Sequence, residues 1–175
     1  FSAWVANRQW PDLYVHFYSQ KEDGLDYPGW LHDENVHVKM GWLARAPYLD
    51  LAAQHGIHLC TSEAEGFGHY IDEARAMEAL IVTVDGGPMN ELVDGDSGIL
   101  VRPSSSVAMN RGIRYQITSE DLGPAIERTL SLSRQARRDL GAAARRRFLA
   151  ERDNFLERAL ELYSGLDRQA VAFFG

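Results

Sequence analysis

Two carboxylates with a glycine loop between them form the most reactive grouping in this chain. Glu65 opens the loop Glu65-Gly66-Phe67-Gly68, and Glu73 follows eight positions later inside the helix that the next residues predict. Two glycines allow positive φ and let a backbone approach a ligand closely. A helix starting just beyond them offers unpaired N–H groups and the positive end of its dipole, which together favour a phosphate. A G-x-G before a helix is equally what a tight strand-to-helix turn uses, so the glycines leave both readings open. The carboxylates add information. At about 1.5 Å rise per residue, Glu73 lies little more than one turn into the helix, so both side chains can face one cleft and bracket a bound phosphate group. Carboxylates repel phosphate and accept hydrogen bonds from hydroxyls. A ligand with both parts, such as a sugar linked through phosphates to a ribose, suits the arrangement. A glycosidase also uses two carboxylates, but across a cleft from a sugar and not around a helix start, so transfer from an activated sugar fits better.

The elements that must position this chemistry are strands alternating with helices. Residues 57–60 predict a strand ahead of the loop, and Leu80-Ile81-Val82-Thr83-Val84 has the nearly unbroken apolar character of a central parallel strand covered on both faces. Loops at the ends of such strands are where open parallel sheets bind ligands. Upstream, Phe1, Trp4 and Val5 suit a helix already under way, Leu13–Tyr18 predicts a strand, and Val36–Met40 alternates as a half-wet strand near a sheet edge. Pro47 and Gly56 bracket a short helix with Tyr48, Leu51, Ala52 and His55 on one stripe. Downstream, Asp85-Gly86-Gly87-Pro88 turns into a short helix carrying Glu91 and Leu92, and Asp94-Gly95-Asp96-Ser97-Gly98 turns into the strand Ile99–Val101. Residues 103–114, with three serines after Pro103, read as an irregular surface loop. Ser119-Glu120-Asp121 is expected to cap a helix, and a last long helix is expected from about Ser133 to Leu166. The fold class predicted is α/β, a Rossmann-like, mainly parallel sheet with helices on both faces, closing with a long C-terminal helix.

The segment from Ser62 to Val101 resembles the donor-binding segment of retaining GT-B glycosyltransferases, in particular glycosyltransferase family 4. The likeness rests on Ser62 ahead of EGFG, the pair Glu65 and Glu73, the helix EARAMEA, the buried strand, Gly86-Gly87 with Glu91, and the run DGDSGILV. A weaker likeness extends from about Asp12 to Leu166. What the resemblance implies is one nucleotide-sugar-binding domain over 1–175, the donor half of a hexosyltransferase-type enzyme that transfers a sugar with retention. Glu65 would then contact hydroxyls of the transferred sugar as the catalytic carboxylate, and Glu73 the ribose hydroxyls. The loop residues Ser62, Gly66, Phe67 and Gly68, with the amides near Gly68, His69 and Tyr70, would surround the diphosphate. Trp42 and Leu43 would lie near the base. The resemblance implies no cofactor and no metal. It implies as partners a nucleotide-sugar and an acceptor sugar, lipid or other hydroxyl compound, held by an N-terminal domain that precedes the matching part. A first strand with an Arg and a Lys after it also precedes that part in the family. His69 stands where an apolar residue is more usual, and Ser19-Gln20 where many relatives have glycine. The reading from another class is a non-catalytic nucleotide or sugar-phosphate binding module, which has no need of a group placed like Glu65.

Composition narrows the alternatives. A chain of 175 residues with 45% apolar content predicts a single globular domain, and a net charge of −7 argues against nucleic acid as the partner. The single cysteine, Cys60, reads as a small core side chain in a reducing, cytoplasmic setting. No apolar run approaches the ~20 residues of a membrane span, and the first residues lack a signal-peptide layout. The absence of a starting Met, with a helix under way, suggests sequence upstream. His55 and His58 diverge across a helix end, so metal ligation is not expected, and Asp94 to Gly98 reads as a plain turn although it is similar to part of a calcium loop. Arg134, Arg137, Arg138, Arg145, Arg146 and Arg147 read as a solvated face, with docking to another domain or to an anionic membrane surface as the other reading.

Overall fold

The computed structural model describes residues 15–19, 36–40 and 43–174, with side chains described from 43 to 164. The expected opening helix, the first residues of the Leu13–Tyr18 strand, the loop between the first two strands and Trp42 lie outside the described residues. Strands β1 (Val15–Ser19) and β2 (Val36–Met40) pair in parallel, Val15 opposite Val36. Helix α1 (Arg45–Ala53) leads to β3 (Ile57–Cys60), then α2 (His69–Ala76), β4 (Leu80–Val84), the short α3 (Met89–Leu92) and β5 (Ile99–Val101). The last three strands form a second parallel sheet in the order β3-β4-β5, with Ile57 opposite Leu80 and Val82 opposite Ile99. Strand β4 is its centre, as its apolar run predicts.

Each face of β4 buries against helices. Leu80 and Val82, with Ile99 and Val101 of β5, pack on Leu122, Ala125 and Ile126 of helix α4 (Ser119–Ser131). Ile81 and Val84 pack on Ile71 and Ala74 of α2, on Met89 and Val93, and on Ala144 of the closing helix α5 (Arg134–Phe174). Thr83 is the polar exception in the strand, and its buried hydroxyl donates to the Cys60 carbonyl at 2.7 Å. The result is the mainly parallel, Rossmann-like α/β architecture expected from the sequence.

Three local expectations are corrected. Residues 103–114 are not an irregular loop, because Ser105–Met109 (β6) and Gly112–Gln116 (β7) form an antiparallel hairpin around Asn110-Arg111. Its Val107, Met109 and Ile113 are exposed, so no alternation of buried and exposed side chains marks the strands. The cap of α4 is Thr118, one residue before the expected triad, in a reciprocal box with Asp121. Helix α5 runs to Phe174, beyond Leu166, since no proline interrupts the chain there.

Close packing of α5 depends on Gly141, where an added Cβ would lie 2.1 Å from the backbone oxygen of Glu78. Gly123 in α4 meets nothing within 4 Å. Replacing Gly141 by Ala is therefore expected to cost about 1–3 kcal/mol, whereas Gly123→Ala should be neutral or stabilising by up to ~1 kcal/mol; urea titration of the two variants compares them.

On β3, the His58 Nε2–H lies 3.0 Å from the Ala52 carbonyl and 3.1 Å from that of His55, serving the end of α1. Burial holds this imidazole below its ordinary 6.5, outweighing the two carbonyl hydrogen bonds that favour its charged form. On acidification the unfolded chain takes up the proton first. The contribution is thus complete above about pH 6.5 and is lost as pH falls below that value. Thermal melts from about pH 7 to about pH 5 should show a decline that His58→Gln flattens.

Candidate functional site

Strand β3 ends at Cys60, and the chain passes through 61–68 into α2. Gly68 is the hinge of that passage. Its φ is +78°, so the αL turn calls for glycine, while a Cβ there would lie 2.8 Å from Leu92 Cδ1, the end of a side chain that can move aside. Gly66 differs, with nothing within 4 Å of its Cβ direction and no positive φ. The loop backbone at Gly66 is open. Gly68 accepts from the amides of Ile71 (2.9 Å) and Asp72 (3.2 Å), while among the described residues the amides of His69 and Tyr70 have no acceptor. These are the donors that a helix start leaves for a ligand.

The loop is tied to the helix it precedes. The Tyr70 hydroxyl donates to Ser62 Oγ at 2.7 Å and accepts from the Ser62 amide at 3.2 Å, closing the eight-residue span. Phe67 is exposed, and its ring lies against His69 with centroids 4.8 Å apart. Burial, and then the Glu65 charge, push the Cys60 thiol up to about 12. A thiol so far from ionising is a core group and no nucleophile. The same Glu65 charge reaches Tyr70, whose phenol is pushed up chiefly by burial.

Glu73 sits on the side of α2 that meets α1. Arg45 Nη1 lies 3.0 Å from Glu73 Oε1, and the carboxylate's charge also reaches Tyr48, one turn along α1. Burial first, then Glu73, pushes the Tyr48 phenol up. Leu43, just before α1, is half-buried. Cys60 lies within electrostatic reach of both Tyr48 and Tyr70. The two glutamates thus approach the end of β3 through different tyrosines.

Sequence reasoning missed three members of this neighbourhood. Tyr115 of β7 roofs the next strand-end loop, its ring so close to Gly86 that a Cβ there would lie 2.5 Å from it. Its hydroxyl accepts from the Gly87 amide at 3.2 Å, and its own amide donates to the Glu63 carbonyl at 2.7 Å, so the hairpin fastens both loops. Arg75, 1% exposed, bonds Asp72 at 2.7 Å and Glu151 of α5 at 2.5 Å. Arg45 is the third. A lone arginine among the alanines of EARAMEA was the available signal for Arg75. Tyr115 and Arg45 carry none, since their partners are distant in sequence.

The arginines of α5 are also more engaged than a solvated face. Arg147 bonds Asp94 Oδ2 at 2.6 Å and the Glu91 carbonyl, and Arg145 donates to the Ala76 carbonyl at 3.1 Å. Asp94 to Gly98 is a turn, as read, in which Ser97 Oγ donates to Asp94 Oδ1 at 2.7 Å and holds that carboxyl below its ordinary range.

No protein-family model matches the sequence, and no curated protein matches it. Solved structures do match. The C-terminal domain of a glycosyl transferase group 1 family protein (LpcC) from Francisella tularensis is 21% identical, with a TM-score of 0.52 over 67% of this chain and 54% of that one. A chain of the GtfA/B complex is 20% identical, with a TM-score of 0.62 over 90% of this chain. This chain spans about half the length of the first and 32% of the second. The likeness is one of fold, the Rossmann-like α/β architecture described above.

The two loop glycines should respond oppositely to a methyl group. Gly66→Ala is expected to melt within about 0.5 kcal/mol of the parent, and Gly68→Ala to lose about 1–3 kcal/mol from its positive φ. Chemical denaturation of both variants makes the comparison.

Proposed function

We propose that this chain is the donor-binding half of a glycosyltransferase that moves a sugar from a nucleotide-sugar to an acceptor with retention, in the manner of family 4 enzymes. The observation that carries the reading is the open backbone at Gly66 with the amides of His69 and Tyr70, unpaired among the described residues, flanked in sequence by Glu65 and Glu73 after a parallel strand. In this reading the diphosphate lies against the start of α2, where the helix dipole and amide donors stabilise the negative charge that develops as the sugar–phosphate bond breaks. Glu73 accepts hydrogen bonds from the ribose hydroxyls. Glu65 faces the transferred sugar and favours its oxocarbenium-like state. Ser62 and Phe67 belong to the same loop wall, and Trp42 and Leu43 border the base. The reading assigns no metal or cofactor, since helix and loop donors hold the diphosphate.

The acceptor, a sugar, lipid or other hydroxyl compound, is held by a further domain or chain, in keeping with the part-length match to the structural neighbours. No helix among the described residues is long and apolar enough to cross a membrane. A cytoplasmic setting remains part of the proposal. The second reading, a non-catalytic nucleotide or sugar-phosphate module, leaves Glu65 without a role.

The two glutamates are expected to differ. Glu73→Gln should weaken a nucleoside diphosphate and its sugar derivative alike, by about 1–3 kcal/mol for a lost charged hydrogen bond. Glu65→Gln should spare the nucleoside diphosphate and weaken only the sugar-bearing ligand. Calorimetric titration of both variants with both ligands is the check; equal losses for the two ligands at Glu65 would count against the assignment.

A further inference from the structure

The Glu73 carboxylate is held from outside its own helix. Arg45 Nη1, from the first residue of α1, lies 3.0 Å from Oε1 across 28 positions of sequence, and Tyr48, one turn further along α1, lies within reach of the same charge. The exposures are unequal: the Glu73 side chain is 20% exposed and the Arg45 side chain 75%. An ion pair with so exposed a cation contributes little to folding, and ordering an arginine costs side-chain entropy of similar size. The pair therefore does little to hold α1 on α2. Its effect falls on the carboxylate.

Two consequences follow from the chemistry of an ionised carboxylate. It has about four lone-pair directions. Arg45 on Oε1 and the Tyr48 hydroxyl, also hydrogen-bonded to the carboxylate, leave about two directions for two hydroxyls while restricting the rotamers from which they can be met. The guanidinium also offsets one of two negative charges, Glu65 and Glu73, flanking a helix start that is to receive a third. Among the described residues Arg45 is the cation paired with either of these carboxylates, since the other nearby ion pair, Arg114 with Glu63 at 3.4 Å, lies two residues outside the pair.

Resting on the reading that Glu73 meets the ribose, we propose that Arg45 is a positioning residue that fixes the Glu73 carboxylate for the ribose diol and so sets the preference of this site for ribonucleotides. It acts through Glu73 and touches neither the phosphates nor the base. Its contribution should then vanish whenever either Glu73 or the diol is removed.

The test is calorimetric titration of the 175-residue chain with ADP, GDP, CDP and UDP and with their 2′,3′-dideoxy counterparts. The proteins compared are the parent, Arg45→Met, Arg45→Lys, Glu73→Gln and the Arg45→Met/Glu73→Gln double variant. The parent is expected to prefer the ribose form of the nucleotide it binds. Arg45→Met should weaken that form about tenfold and the dideoxy form less than about twofold, with its melting temperature unchanged, as suits an exposed side chain. Arg45→Lys should recover part of the loss. The double variant should bind like Glu73→Gln alone, the non-additivity expected of two groups acting as a unit. Equal loss for ribose and dideoxy forms, or no loss in either, overturns the role of Arg45 while leaving donor binding intact. Failure of the parent to bind any ribonucleoside diphosphate overturns the donor-site reading, and this inference with it.

Discussion

The structure turns on a guanidinium out of reach of water. Arg75 is 1% exposed, and a buried unpaired charge costs several kcal/mol, so the fold must bring carboxylates to it. Asp72 arrives from the same helix, one turn earlier. Glu151 arrives from α5, across 76 positions of sequence, and Phe148 lays its ring 5.6 Å from the cation. The second carboxylate can be reached only if α5 crosses α2 closely, which the missing side chain of Gly141 allows at the Glu78 carbonyl. Helix α5 in turn packs Ala144 into the apolar cluster around Ile81 and Val84. Helix α2 is thereby fixed to the central strand through a helix far away in sequence. The Nε of Arg75 has no partner among the described residues, so the arrangement is not fully compensated.

Around that clamp the candidate site draws on pieces with separate tasks. The loop after β3 supplies open backbone, α2 supplies amides and Glu73, α1 supplies Arg45 and Tyr48, and the β6–β7 hairpin closes the neighbouring loop with Tyr115. Cys60 marks the boundary between core and cleft. Its thiol is protonated, and the charged groups begin one side chain further out. Polar chemistry thus lies at the strand ends and the apolar clusters lie behind it.

Much of this was legible in the residues because local pattern and burial agree. The run from Leu80 to Val84 is apolar since both its faces are covered, and the G-x-G passage reads as a strand-to-helix turn since Gly68 must adopt a positive φ. Where the sequence misled, local pattern was silent. The hairpin strands face water, so Val107 and Ile113 show no period that a core would impose. The cap of α4 slipped by one position because Thr118 and Ser119 are both competent caps and only the reach of Asp121 distinguishes them. Arg75, Arg45 and Tyr115 escaped for another reason: what each does is defined by a partner between 28 and 76 residues away. Chain-local reading has no access to such distances.

Helix α5 is one element by geometry and two by energetics. Up to Glu151 it is held by side chains that reach α2, β4 and the Asp94 turn. Beyond it, Phe155, Leu160, Leu162 and Tyr163 are each at least 65% exposed, so that stretch continues a helix already nucleated and owes nothing to packing among the described residues. It is in effect a lever whose fulcrum is the Arg75 clamp. From Glu151 to Tyr163 the arm is roughly 18 Å long, so a tilt of ~5° at the fulcrum moves its tip by roughly 1.5 Å. The near part of α5, by contrast, is joined to α2 by the Arg75–Glu151 pair, by Ala144 in the shared apolar cluster and by Arg145 on the Ala76 carbonyl.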